Sequence, residues 1–227
     1  MSSPDFPDTG RDSALCLAGP AGALEAMLEF PASDVAAQPV IAIVCHPLPT
    51  EGGSMDNKVV TMAARALRAL GVTTLRFNFR GTGASEGSFD DGAGELEDLA
   101  AVAAWLRAAR PDSALWLAGF SFGAYVSIRA SATLEPAALI SLAPPAGRWA
   151  FGDAVPRMPW LVVMGEEDEI VDPQAVYAWL EQLAPPRLQL VKLPDCTHFF
   201  HGKLIELRGA IKHGVRAWLP NPPAAGA

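Results

Sequence analysis

The chain reads as an α/β fold, a mostly parallel sheet of about eight strands flanked by helices on both faces. Three observations predict it. From residue 39 onward, strand-like and helix-like segments alternate, the order that builds a parallel sheet with crossover helices. Residues 39–45 form an unbroken apolar run, as expected for a strand covered on both faces. An apolar run from Leu115 to Ala118 passes through Gly119-Phe120-Ser121-Phe122-Gly123 into a helix-like pattern at Ala124, Tyr125, Val126 and Ile128.

The elements follow in order. Two short apolar segments, 13–18 and 23–30, flank Gly19-Pro20-Ala21-Gly22 and predict an antiparallel hairpin outside the alternation. After the strand at 39–45, Val59, Ala63, Ala66, Leu67 and Leu70 keep helical spacing up to Gly71. Residues 73–79 read as a strand and 80–91 as a loop. Leu96, Leu99, Ala103 and Leu106 mark a helix that must stop before Pro111. The strand at 114–119 leads to Ser121, and a helix follows. Strands at 137–143 and 160–164, a helix at 173–183, a strand at 188–193 and a helix at about 203–218 complete the pattern. No repeat or linker divides the chain. A single domain is expected over 12–219, between loose ends at 1–11 and 220–227 that are rich in Pro, Gly, Ser, Ala and Asp. The segment 144–159 is too short for a cap domain.

Composition narrows the function. The 227 residues are 50% hydrophobic and carry a net charge of −8. With no basic run, nucleic acid and anionic membranes are poor partners. No apolar segment can span a bilayer, and the N-terminus lacks the charged and apolar regions of a signal peptide. Cys16, Cys45 and Cys196 are too few and too scattered for a disulfide framework, which points to a reducing, cytoplasmic setting. No Cys/His spacing suggests a metal, and no glycine-rich turn after a strand suggests a nucleotide, so neither metal nor cofactor is expected.

The chemistry is concentrated in three loops. Strand, sharp turn and helix make Gly-x-Ser-x-Gly a nucleophile elbow, with Ser121 at its tip. The helix that follows directs its N-terminus, with free N–H groups and the positive dipole end, at the serine. An acid should follow a later strand. The loop Gly165-Glu-Glu-Asp-Glu-Ile-Val-Asp-Pro offers several, and Asp168 is the choice. Asp172 precedes Pro173 and reads as a helix N-cap. A histidine should follow the last strand, where His198 sits directly after it and His201 adjoins the final helix; His198 is preferred. The order Ser121, Asp168, His198 is the one this architecture requires. Two backbone donors should form an oxyanion hole. Phe122 supplies one. In Cys45-His-Pro-Leu-Pro49 only Leu48 has an N–H among the last three residues, so it supplies the other, in a loop that the prolines stiffen. His46 reads as a residue beside the pocket, hydrogen-bonded to nearby backbone. Trp149 and Phe151 either edge an open, shallow pocket or close the core.

At these motifs the chain resembles the serine α/β-hydrolase superfamily over nearly its whole length. Cys45-His-Pro-Leu-Pro, Gly52-Gly-Ser-Met-Asp-Asn-Lys-Val-Val60 and Phe77-Asn-Phe-Arg-Gly-Thr-Gly-Ala-Ser-Glu-Gly87 are similar to a narrower group. That group is the small lidless bacterial hydrolases akin to dienelactone hydrolases and to the catalytic domains of prolyl oligopeptidases. The resemblance implies ester-type hydrolysis; the open, shallow pocket left by the short segment 144–159 is expected to take a small-molecule ester with a short or small acyl group. A peptidase, an acyltransferase and a non-catalytic binding protein of the same fold are the alternatives.

Overall fold

The computed structural model describes residues 6–7, 10–152 and 154–220. Most of the expected loose ends, 1–5, 8–9 and 221–227, lies outside the described residues. Eight strands form one sheet in the order β1-β2-β4-β3-β5-β6-β7-β8. The hairpin is β1 (Ser13–Gly19) and β2 (Gly22–Glu29), and it joins the sheet by antiparallel pairing of β2 with β4 (Thr73–Phe77). All remaining pairs are parallel: β4 with β3 (Val40–Cys45), β3 with β5 (Ala114–Phe120), then β6 (Ala138–Leu142), β7 (Trp160–Gly165) and β8 (Leu188–Leu193).

Every residue of β3, β6 and β7 is buried, as their continuous apolar sequences require of strands covered on both faces. Five helices supply the cover: α1 (Lys58–Arg68), α2 (Ala93–Ala109), α3 (Phe122–Leu134), α4 (Pro173–Leu183) and α5 (Leu204–Val215). Side chains start two of them. The Asn57 carbonyl oxygen accepts from Val59 N–H at 2.9 Å, and Asp172 accepts from Gln174 N–H at 2.9 Å with Pro173 in the first turn. Asp172 is thus occupied as the cap its sequence context suggests.

Strand β4 ends at Phe77, two residues before the sequence suggests. The Phe79 N–H leaves the sheet and donates to the His46 side chain. The last helix stops at Val215 and continues as a 3-10 turn over Arg216–Trp218. Between β6 and β7 the described residues form only a loop with an isolated bridge from Ala146 to Trp149, so no cap covers the sheet.

The topology marks where a ligand belongs. The connection after β3 leads outward to β4, and that after β5 leads the opposite way to β6. The carboxyl ends of β3 and β5 therefore border a crevice at a topological switch point.

Candidate active site

Ser121 stands at that crevice between β5 and α3, with φ 52° and ψ −117°. A non-glycine residue in such geometry carries strain of about 1–3 kcal/mol, which surrounding contacts must hold. Here the Ser121 N–H donates to Leu142 O at 2.9 Å, and the Ser121 carbonyl accepts from Ala124 and Tyr125 N–H. The flanking glycines are there for close approach. A Cβ on Gly119 would overlap the Gly123 carbonyl, and one on Gly123 would overlap the Cys45 carbonyl. Without side chains, α3 seats its first turn directly on the end of β3.

The two other predicted residues reach the serine from distant loops. His198 Nε2 lies 3.0 Å from Ser121 Oγ, and His198 Nδ1 lies 2.7 Å from Asp168 Oδ2. The carboxylate can only accept, so Nδ1 carries the proton and Nε2 is left to accept from the serine hydroxyl. Asp168 is locked in turn: its Oδ1 accepts from Ile170 N–H at 2.9 Å and Val171 N–H at 2.7 Å. Both side chains of the Asp168–His198 pair are almost wholly shielded from solvent. The Phe120 ring packs 5.1 Å from the imidazole. His201, the other histidine of this loop, is exposed and rests against Phe199.

Glu169 enters the site in a way the sequence reading does not assign. Its Oε2 accepts from the His198 backbone N–H at 3.0 Å, tying the acid loop to the histidine loop. Its place beside Asp168 is the only sequence signal. Gly165 makes a second tie, because a Cβ there would overlap the Cys196 carbonyl. Burial pushes the Cys196 thiol up to about 11, so this neighbour is no competing nucleophile.

Ser121 opens into a cleft of about 460 Å³. Leu48, Glu51, Gly53 and Asn57 bound it from the β3 side; Pro145, Arg148, Trp149, Ile170 and Val171 bound it from the β6 and β7 side. Phe122 and Leu48 both line the cleft, as Ser121 does. Phe122 is the first residue of α3, where the N–H has no partner within the helix. Of the three residues expected at the pocket, His46, Trp149 and Phe151, only Trp149 borders the cleft, packed on Phe122 and Tyr125. For Phe151 the pocket-edge reading is corrected in favour of the other: it is buried and stacked on Trp179 at 4.4 Å, so it closes the core. His46 is also a correction. It lies fully buried behind the cleft wall, its Nδ1 2.7 Å from Pro47 O and its Nε2 3.0 Å from Phe79 N. Arg148, which the sequence reading passes over in favour of its aromatic neighbours, borders the cleft and donates to Ile170 O at 2.9 Å.

Among the described residues no cluster of His, Cys, Asp or Glu could hold a metal ion, and no helix is long and apolar enough to cross a membrane. A family model described as X-Pro dipeptidyl-peptidase (S15 family) matches residues 31–155, more than half of the chain. The chain belongs to this family of α/β serine hydrolases. A lidless α/β serine hydrolase from Xanthomonas campestris is 64% identical, with a TM-score of 0.94 over 97% of this chain and 100% of that one. An α/β serine hydrolase homologue from Coxiella burnetii is 43% identical, with a TM-score of 0.86 over 89% of this chain and 97% of that one. An uncharacterized protein of Rickettsia prowazekii is 33% identical over 181 residues, 75% of this chain and 76% of the relative. The uncapped cleft described above is therefore a property shared with a lidless relative.

Proposed function

We propose that this hydrolase is a carboxylesterase for small or short-chain acyl esters, working through Ser121, His198 and Asp168. The observation that carries the reading is the bridge of His198 between Ser121 at 3.0 Å and Asp168 at 2.7 Å. Ser121 Oγ attacks the ester carbonyl while His198 Nε2 takes its proton. Asp168 holds the tautomer and balances the imidazolium. The N–H groups of Leu48 and Phe122 receive the oxyanion. His198 then gives its proton to the leaving alcohol, and the acyl-enzyme forms. Water, deprotonated by the same nitrogen, releases the acid and restores Ser121.

The uncapped cleft of about 460 Å³ supports substrates of modest size over long lipids. A net charge of −8 argues against nucleic acid as a partner. All three cysteines are free, which fits a cytoplasmic protein. A second reading, peptidase activity, is favoured by the S15 family match alone. A p-nitrophenyl ester series from acetate to dodecanoate, run on wild type and Ser121→Ala, separates the cases. Short-ester turnover that Ser121→Ala abolishes supports the esterase. Cleavage of X-Pro p-nitroanilides without ester turnover moves the assignment to the peptidase. A preference for dodecanoate rejects the small-substrate class.

A further inference from the structure

We infer that His46 is a positioning residue that sets the direction of the Leu48 N–H, and so one half of the oxyanion hole. The inference rests on the esterase reading above. The Pro47 carbonyl and the Leu48 N–H belong to one peptide unit. That unit is planar and trans, as no described peptide bond is cis, so its C=O and N–H point opposite ways. Whatever holds the carbonyl aims the N–H.

The flanking prolines do not hold it. A proline ring locks its own φ and keeps the residue before it out of the helical region, but it fixes no peptide plane that turns on the ψ of one residue and the φ of the next. The plane of this peptide turns on ψ of Pro47 and φ of Leu48, and neither lies in a ring. A flip about those two torsions would exchange the N–H for a carbonyl oxygen, placing an acceptor where the oxyanion needs a donor. The prolines stiffen the loop, but the plane of this one peptide needs a further constraint.

The structure supplies the missing constraint from both flanks of the carbonyl. His46 Nδ1–H donates to Pro47 O at 2.7 Å, on the buried side. The imidazole cannot swing away, because its Nε2 accepts from Phe79 N–H at 3.0 Å and its ring lies 4.8 Å from the Phe79 ring. On the other flank, a Cβ at Gly53 would overlap the Pro47 oxygen, so only glycine leaves the carbonyl its place. The next carbonyl, Leu48 O, accepts from Gly53 N–H at 3.0 Å and Glu51 N–H at 3.2 Å. With the Pro47 carbonyl turned toward the buried imidazole, the Leu48 N–H is turned toward the cleft that Leu48 and Ser121 both line.

Two substitutions at this position test the idea. His46→Phe keeps a ring but loses both hydrogen bonds; His46→Asn restores a donor near Nδ1. A third, Gly53→Ala, pushes on the carbonyl from the opposite flank and leaves the histidine intact. The readouts are kcat and KM for p-nitrophenyl acetate, the rate of Ser121 labelling by a fluorophosphonate, and the thermal unfolding midpoint. Labelling needs the oxyanion hole but no particular substrate. We expect His46→Phe to lower kcat and the labelling rate by about 100-fold with KM within about twofold, the size of losing one oxyanion donor. His46→Asn should regain about tenfold of that loss, and Gly53→Ala should show the same split between kcat and KM. The inference is overturned if folded His46→Phe labels at the wild-type rate, if the loss falls on KM alone, or if Asn does no better than Phe. Should His46→Phe not fold, unchanged kcat and labelling in Gly53→Ala overturn it equally. Wild type that labels Ser121 normally but turns over no ester would instead sink the esterase reading and leave the labelling comparison to judge His46.

Discussion

Lowering the pH should strip stability from this fold through His46, by an amount the structure sets. Burial drives its pKa down from 6.5 to about 4, although the bond to Pro47 O acts the other way. The hydrogen bonds explain why the neutral ring is preferred. Nδ1–H already donates to Pro47 O, and a proton on Nε2 would face the Phe79 N–H, donor against donor. In the unfolded chain the ring takes up a proton near its ordinary value, so between the two values the unfolded state binds more protons. Stability from this group is therefore complete above pH 6.5 and is lost as the pH falls toward 4. At about 1.4 kcal/mol per pKa unit, the loss amounts to about 3 kcal/mol. The assay is urea unfolding at intervals from pH 7 to 4 for wild type and His46→Asn, which cannot titrate there. Carboxylates that protonate over the same range act on both proteins and cancel in the difference. Wild type should lose about 3 kcal/mol relative to the variant across the window. A difference that stays flat, or that changes only above pH 6.5, would refute the reasoning.

Further tests reach the proposed machinery. Leu48 has φ −52°, close to the value a proline ring imposes, so Leu48→Pro should remove one N–H with little backbone strain. We expect kcat to fall by about 10²–10³ with a cooperative melt retained, as steady-state kinetics and thermal unfolding will show. Asp168→Asn offers His198 Nδ1 the wrong partner and should lower kcat by about 10⁴; circular dichroism should remain that of the wild type. In Gly165→Ala the new Cβ meets the backbone oxygen of Cys196, which cannot move aside as a side chain could. Chemical denaturation should register a loss of about 1–3 kcal/mol, and ester turnover should fall with it as the histidine loop is displaced. Trp149→Ala should widen the cleft beside Phe122 and Tyr125 and shift the preferred ester in a p-nitrophenyl series toward longer acyl chains.

The sequence alone determined what short-range pattern can carry. The buried runs of β3 and β5, the glycines around Ser121 and the cap at Asp172 are all local, and each follows from residues close in the chain. Steric limits on a tight turn and the absence of an N–H on proline act within a few residues. That is why Ser121, and the proposed donors Leu48 and Phe122, are candidates on sequence grounds alone. Tertiary structure decided everything that depends on a partner far along the chain. Trp149 and Phe151 are both aromatic and two residues apart, yet one borders the cleft and the other stacks on Trp179 of α4. Hydrophobicity says only that each wants cover, not which neighbour provides it. His46 became a clamp because the Phe79 amide, 33 residues later, turns out of the sheet to meet it. Glu169 found the His198 amide 29 residues away because Gly165 lets the two loops touch. Hydrogen-bond direction and close packing are set by the whole fold, and no periodicity in the chain encodes them.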